Sequence, residues 1–329
     1  MSLDADLIVD RRRMRRKLTF WRVTAVLVAI AAVVGGALMF TGSRTSTMAT
    51  AVTGSIARVT IEGLIRGNRQ RVEALERLSE SSSAKAVIIH INSPGGTVSG
   101  SEELYDSLIR LKAKKPLVVV VDGIAASGGY IAAIASDRVF AQQSSIVGSI
   151  GIIFQYPNFT DLLKTVGVQV ESIKSTPLKA SPNGLEPTSP EARAAVESMV
   201  KDSYDWFKSL VRERRGFDQS TLDKVADGRV FTGRQALELK LIDALGDEKA
   251  AVDWLAKEKG IDPKTPVRDY RLRPRFSDLP FLHTAMAGLL DALGFGGLAE
   301  RIKDWGALQA VERLNLDGLL ALWHPPTTN

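Results

Sequence analysis

The sequence predicts an α/β fold, on three observations. Strand-like and helix-like stretches alternate from residue 57 onward. The strand-like ones are apolar runs or apolar–polar alternations, and the helix-like ones carry apolar residues three or four apart. Two of the apolar runs end in glycine-rich loops, and the carboxyl ends of strands are where α/β sheets build their sites. A chain of 329 residues has room for about two domains, or one large domain with appendages.

The elements follow in order. Ala57, Val59 and Ile61 alternate with polar residues, as in a half-buried strand. Residues 68–83 read as a helix with Val72, Leu75 and Leu78 on one face. Residues 86–91 form a short apolar strand, and residues 99–112 a helix striped by Leu104, Leu108 and Leu111. Residues 117–121 are a buried strand, and a helix starts near Ser127. Residues 168–172 read as a further strand. Residues 190–215 form a long helix that Thr188 or Ser189 can cap, with Pro190 suited to its first turn. Residues 228–231 are strand-like, residues 233–239 a short helix, and residues 248–259 a last helix ended by Gly260. A Pro- and Arg-rich boundary covers 263–280, and the tail beyond it mixes leucine with glycine.

The N-terminal end has a different character. Residues 23–43 carry no charge, and about 20 helical residues cross a hydrocarbon core of roughly 30 Å. Phe20 and Trp21 stand at the entry to this run. Before it lie Arg11, Arg12, Arg13, Arg15, Arg16, Lys17 and Arg22, which predicts a cytoplasmic N-terminus and an exported body. A cleavable signal peptide is the rival, with a small-residue site at Ala49-Thr50-Ala51. The apolar run is longer than a signal-peptide core and stops well short of that site, which favours an anchor. The expected divisions are 1–22 cytoplasmic, 23–43 membrane anchor, 44–54 linker, 55–262 folded domain and 263–329 tail. The expected location is the inner (plasma) membrane, single-pass, with the body on the periplasmic side.

Composition removes several chemistries. The net charge is +6, but +4 of it lies in the first 22 residues, so the body lacks the basic excess of a nucleic-acid binder. Without cysteine there is no disulfide, thiolate nucleophile or Cys-ligated metal. The only histidines are His90, His283 and His324, which argues against a His-rich metal site.

The two glycine loops are Asn92-Ser93-Pro94-Gly95-Gly96 and the stretch from Gly123 to Gly129 containing Ser127. Ser127 is an isolated hydroxyl among small residues, with a helix start behind it. Backbone amides of both loops could hold a developing oxyanion. Tight packing alone would also call for such glycines. The phosphate-loop lysine, the G-x-G-x-x-G spacing and the G-x-S-x-G elbow are all absent here, since Ala125 stands two residues before the serine. A serine nucleophile needs a base. His90 lies close by but reads better as a packing residue, and Asp122 as one that orients the turn.

Five motifs in one order then carry a resemblance. They are Asn92-Ser-Pro-Gly-Gly96, Ala126-Ser-Gly-Gly-Tyr130, Gly148-Ser-Ile-Gly151, Lys174-Ser-Thr-Pro-Leu-Lys179, and the run from Asp227 to Ala236. Together the motifs resemble the signal peptide peptidase (protease IV) family in its short, single-domain form. The resemblance implies a fold like that of the Clp protease and crotonase, a superhelix of β-β-α units, here preceded by one transmembrane helix. It implies a membrane-anchored serine endopeptidase that degrades cleaved signal peptides and uses a Ser-Lys pair without metal or cofactor. Ser127 is then the nucleophile and Lys179 the general base. Gly96 and Gly128 supply oxyanion-hole amides, and Ser149 orients the lysine.

At Thr176 the family often has glycine, which makes Lys174 the competing base. A lysine has a pKa near 10.4, and burial lowers it. Pro177, Leu178 and Ala180 would supply apolar surroundings for Lys179. The resemblance also implies a homo-oligomeric ring, with peptide and membrane as the other partners, and lets serine and lysine meet across a subunit boundary. Two other readings are a crotonase-like acyl-transfer or hydratase enzyme and a non-enzymatic membrane scaffold on the same fold.

Overall fold

A computed structural model describes residues 54–272 and 319–323, together with Trp21. The chain divides into two compact units, residues 1–53 and 54–329, and every strand and helix named below belongs to the second. The expected cytoplasmic segment and membrane anchor lie outside the described residues, Trp21 excepted, as does the linker before Gly54. Among the described residues no helix is long and apolar enough to cross a membrane.

The fold is mixed α/β. Strands β1 (Ser55–Glu62), β2 (Ala84–Ser93), β4 (Leu117–Ala126), β5 (Arg138–Ala141), β9 (Ala244–Leu245) and β10 (Val267–Asp269) pair in parallel in the order β10-β1-β2-β4-β5-β9. At the far end of β4 the sheet turns off. There β6 (Ile146–Gly148) pairs parallel with β4, and β8 (Val230–Thr232) antiparallel with β6. A second, antiparallel sheet of three strands has the order β3 (Gly95–Thr97), β11 (Leu319–Leu322), β7 (Ile153–Phe154).

The apolar runs of β2 and β4 are continuous because both faces of the sheet are covered. On one face Val87, Ile89, Ile91, Val119 and Val121 join a core with Leu75 and Leu78 of α1 (Arg69–Glu80) and Leu104, Leu108 and Leu111 of α2 (Val98–Lys112). Tyr130 and Ile131 of α3 (Gly128–Ala133) belong to that core too. So do Phe207 and Val211 from the long helix Pro190–Arg215. On the other face Ala86, Ile88, Val118, Val120 and Phe140 pack on Ala251 and Leu255 of the helix Glu248–Lys259.

Helix ends follow local chemistry. Asn68 and Thr97 cap α1 and α2 through their side chains. Ser189, not Thr188, caps the long helix by accepting from the Ala192 N–H at 3.1 Å. Gly216 and Gly260 close the two later helices in the left-handed conformation. The helix expected at 233–239 spans Gly233–Glu238 under a capping box from Thr232 and Gln235.

The expected strand at 168–172 does not form. Those residues are exposed and without regular structure; Val168 and Val170 alternate correctly, but no strand among the described residues pairs with them. The only regular element between β7 and Pro190 is α4 (Thr160–Thr165), which buries none of its residues. The tail expected from residue 263 enters the fold twice, as β10 beside β1 and as β11 between β3 and β7.

Candidate active site

Ser127 sits where β4 hands over to α3. It is 1% exposed, with φ 53° and ψ −116°. A non-glycine residue there stores about 1–3 kcal/mol, which the surrounding structure must override. The Ser127 N–H donates to Gly148 O at 2.7 Å, and its carbonyl accepts from the Tyr130 and Ile131 N–H groups at 2.9 and 3.0 Å. The Tyr130 ring, fully buried behind the serine, anchors the helix by donating its hydroxyl to Leu241 O at 2.8 Å. Burial pushes that hydroxyl pKa up, so it stays protonated as a donor. The Ser127 Oγ has one weak contact, to Gly151 O at 3.5 Å.

The two glycine loops meet here. A Cβ on Gly95 would lie 2.8 Å from the Gly128 amide nitrogen, so the first loop lies against the head of α3. Gly96 fits because its Cβ would fall 1.7 Å from Ile65 O. Gly128 fits because its Cβ would fall 2.2 Å from Ser101 Oγ. Close packing is therefore a real reason for these glycines, and it brings their backbones together beside the serine. Ser93, which the sequence reading did not single out, fixes the first loop: its Oγ donates to Gly63 O at 2.7 Å and accepts from the Gly95 N–H at 3.1 Å.

Ser149 follows the residue that accepts the Ser127 N–H. Its own φ is 52°, and its N–H donates to Arg229 O at 2.8 Å. The Asp227 to Ala236 motif thus has a structural reason, since it supplies β8 and the backbone that carries Ser149.

The lysines stand apart from this cluster. Lys179 is exposed, and none of its side-chain atoms bonds another described residue. Leu178, expected to shield it, is 47% exposed. Among the described residues the dry surroundings expected for this lysine are therefore missing. Lys174 is committed elsewhere. Its Nζ donates to Ser181 Oγ at 2.9 Å and pairs closely with Glu186. Lys174, then Ser181, holds the Glu186 carboxyl below the usual carboxylate range.

His90 is also spoken for. It lies on the sheet face packed by the helix Glu248–Lys259, with Nδ1 2.9 Å from Asp122 and Nε2 2.9 Å from Glu248. Glu248 in turn accepts from Arg58 at 2.6 Å. His283 and His324 lie outside the described residues. Ser127, Gly96, Gly128 and Ser149 thus come together, and Lys179 does not join them.

The feature the sequence reading missed is β11. Leu320, Ala321 and Leu322 face Thr97, Gly96 and Gly95, while Leu319 and Leu320 face Phe154 and Ile153 on the other side. A four-residue Leu-Leu-Ala-Leu run in a leucine-rich tail gives no local sign that it pairs beside Ser127.

Comparison with known proteins agrees with this geometry. Residues 109–262 match Peptidase family S49, and residues 59–148 match the Clp protease family. A putative protease of Synechocystis sp. is 38% identical over 63% of this chain and 76% of its own length. The putative signal peptide peptidase SppA of Enterococcus faecium is 33% identical over 59% of this chain, which spans 56% of that protein. Protease 4 of Haemophilus influenzae is 30% identical over 67% of this chain, but the match spans only 37% of that longer protein. With Ser127 and its helix inside both family matches, the chain belongs to peptidase family S49.

Proposed function

We propose that this protein is a membrane-anchored serine endopeptidase that degrades cleaved signal peptides. Ser127 attacks the peptide carbonyl, the Gly96 and Gly128 amides hold the oxyanion, and Lys179 takes the serine proton. Ser149 orients the lysine. The single observation that carries this reading is the strained, buried Ser127 at the head of α3, with the glycine loops packed beside it. Preorganised amides of this kind contribute about 2.7–4 kcal/mol per donor to acyl transfer.

The exposure of Lys179 supports a site completed between copies. A neighbouring copy would cover residues 155–188 and remove water from the amine, which favours its neutral form. The exposed row of Leu162, Val166, Val168, Val170 and Ile173 on that segment fits burial against a partner. In this reading the protein is a ring whose subunits each lend a lysine to the next. The sheet order, with β6 branching from the end of β4 and β3 in a second sheet, supports the superhelix of β-β-α units. The uncharged run at 23–43 and the arginines before it support an anchor with the body exported.

The test is a fluorophosphonate probe with a peptide hydrolysis assay. Labelling and hydrolysis should both vanish in Ser127→Ala, a loss of about 10⁴-fold or more, with the circular dichroism spectrum unchanged. Equal hydrolysis by Ser127→Ala would refute the reading. A crotonase-like enzyme or a scaffold would not label at this serine.

A further inference from the structure

We infer that the end of the sheet opposite Ser127 docks on the headgroups of anionic phospholipids. The inference rests on the reading of residues 23–43 as a membrane anchor, and on no step of the peptidase chemistry.

The parallel sheet has two unlike ends. β1, β2, β4, β5, β9 and β10 all run the same way, so their amino ends lie together and their carboxyl ends lie together. Ser127 directly follows β4, at the carboxyl end. At about 3.3 Å per residue, the length of β4 puts the other end roughly 30 Å from the serine.

Lysines collect at the amino ends. Lys85 is the second residue of β2, and Lys112, Lys114 and Lys115 lie just ahead of β4. Lys257 and Lys259 end the helix Glu248–Lys259, and Lys264 leads into β10. Contacts tie these positions into one surface. Lys115 Nζ donates to Ser81 O at 2.7 Å and to Ala84 O at 2.8 Å, across to the start of β2. Lys112 and Lys259 share Asp137, at 3.5 and 4.0 Å. Arg214 joins them, since its Nη2 and Lys112 Nζ donate to the same Ser136 oxygen at 2.8 and 3.1 Å.

Acids are present here but fewer. Glu80 pairs with Lys114 at 3.7 Å, Asp137 serves two lysines, and Asp262 accepts from the Lys264 N–H at 2.8 Å, with Glu258 between Lys257 and Lys259. The crowding of cations shows in the amines. Burial first, then Arg214, lowers the Lys112 pKa, and burial first, then Lys114, lowers that of Lys115. The carboxyl ends are balanced instead, with Glu62, Asp269 and Glu248 among Arg58, Arg71 and Arg271. Lysines favour helix C-termini, which accounts for Lys112, Lys257 and Lys259. It does not account for Lys85 on a strand or Lys264 in a loop.

What selects lipid as the partner is where the chain enters. Gly54 leads into β1 at this same end. A Cβ on it would fall 2.5 Å from Lys85 Cε, and the Ser55 N–H donates to Ser83 O at 2.7 Å. Residues 44–54 reach about 40 Å when fully stretched, so an anchor at 23–43 keeps the lysine end close to the bilayer surface. Each lysine near an anionic leaflet strengthens binding about fivefold, and the attraction fades within a Debye length of about 8 Å. Seated in this way, the body holds Ser127 on the side away from lipid, and its substrate is peptide that has left the bilayer.

The chain has no cysteine, so single fluorophores can be placed on the full-length protein. Ser82→Cys marks the lysine end, and Glu102→Cys, near the start of α2, marks the serine end; both positions are exposed. The protein is inserted into vesicles of phosphatidylcholine, or of an equal mixture with phosphatidylglycerol, and read by energy transfer to an acceptor on the headgroups. In the mixed vesicles transfer from Ser82→Cys should be high and exceed that from Glu102→Cys. It should fall in pure phosphatidylcholine, and fall at about 1 M salt, where the Debye length is about 3 Å. Lys85→Gln, Lys114→Gln, Lys257→Gln and Lys264→Gln together should weaken docking about 100-fold or more and leave peptide hydrolysis in detergent unchanged. Equal transfer from Ser82→Cys in the two vesicles, with the chain floating in both, overturns the inference and leaves the anchor standing. A chain that does not float with pure phosphatidylcholine refutes the anchor and this inference with it. Docking as described by a chain that hydrolyses no peptide refutes the peptidase reading alone. Stronger transfer from Glu102→Cys, or a changed oligomer size in the fourfold variant, overturns the assignment of this end to lipid. The salt test uses the wild-type lysines, so it decides even if the fourfold variant fails to fold.

Discussion

The two halves of the proposed Ser-Lys pair stand in opposite physical settings. Ser127 ends a strand buried on both faces, is 1% exposed, and has its backbone tied to β6 and to α3. Lys179 stands on a largely exposed segment whose one short helix buries nothing, and where Ile173 is as exposed as it would be in an unfolded chain. The difference separates two requirements of this chemistry. A nucleophile must be held in an unfavourable backbone geometry, which a closed core can do. An amine base must be dry, and the described residues of this chain do not dry it.

The strongest way to break that comparison is to change the lysine. Lys179→Ala and Lys179→Arg should both abolish peptide hydrolysis, because arginine keeps its charge and cannot act as a base. Mixing inactive Ser127→Ala with inactive Lys179→Ala, after dissociation and reassembly, should restore activity at about a quarter of the sites, as a shared head-to-tail interface requires. No recovery on mixing would place serine and lysine in one chain and end the contrast. Full activity of Lys179→Arg would remove the lysine from the mechanism altogether.

Ser149→Ala should have a smaller effect. It removes one hydroxyl at a left-handed position beside the serine strand. Loss of one orienting hydrogen bond contributes about 0.5–1.5 kcal/mol, or roughly 2- to 13-fold in kcat. The change should appear in kcat rather than KM, since the side chain is assigned to the lysine and not to the peptide. A KM change with constant kcat would reassign Ser149 to substrate binding.

How much could be read in advance follows the same division. The helix Pro190–Arg215 was legible to its ends, because a capping serine, a first-turn proline and a closing glycine mark it locally. The serine side was legible too, since β2 and β4 are plain apolar runs and their glycine loops sit at their ends. β3, β5 and β7, of two to four residues, were not, because so few residues carry no period. Residues 168–172 misled for a related reason: alternation reports a strand that has one face to bury, and the described residues leave Val168 and Val170 exposed. β11 was illegible because its pairing is set by the vacant lane between β3 and β7, and nothing within the strand itself marks it.

The opposite face of the sheet offers a control that should move stability and leave the chemistry alone. Arg58 foremost, with His90, lowers the Glu248 carboxyl pKa even though burial opposes the shift. A carboxylate depressed in the folded state adds stability above its unfolded pKa, near 4.3, and that stability is lost as pH falls through the folded value. Glu248→Gln should therefore cost about 1.5 kcal/mol at pH 7, and the gap to wild type should narrow as pH falls below the unfolded carboxylate range and through the folded value. Thermal melts across pH would show this, with kcat unchanged. A stability gap that persists undiminished at low pH would mean the ion pair is not its source.

Lys174→Ala should change hydrolysis least of all, within about threefold, as expected of a substitution away from the reacting groups. Lys174 lies only five residues before Lys179, yet its surroundings differ. Its amine is taken up by Ser181 and Glu186, and the Asn183 amide donates to the same carboxylate at 3.2 Å. That cluster ties the lysine loop together and leaves Lys179 exposed, where the proposed neighbouring copy would reach it. Removing Lys174 should loosen the loop and free Glu186 to titrate nearer the ordinary range, while the base itself remains. Hydrolysis rates for Lys174→Ala beside Lys179→Ala decide between the two. If Lys174→Ala were the dead variant, the base would be the lysine that one chain already shelters, and the contrast between a self-sufficient serine and a dependent lysine would fall.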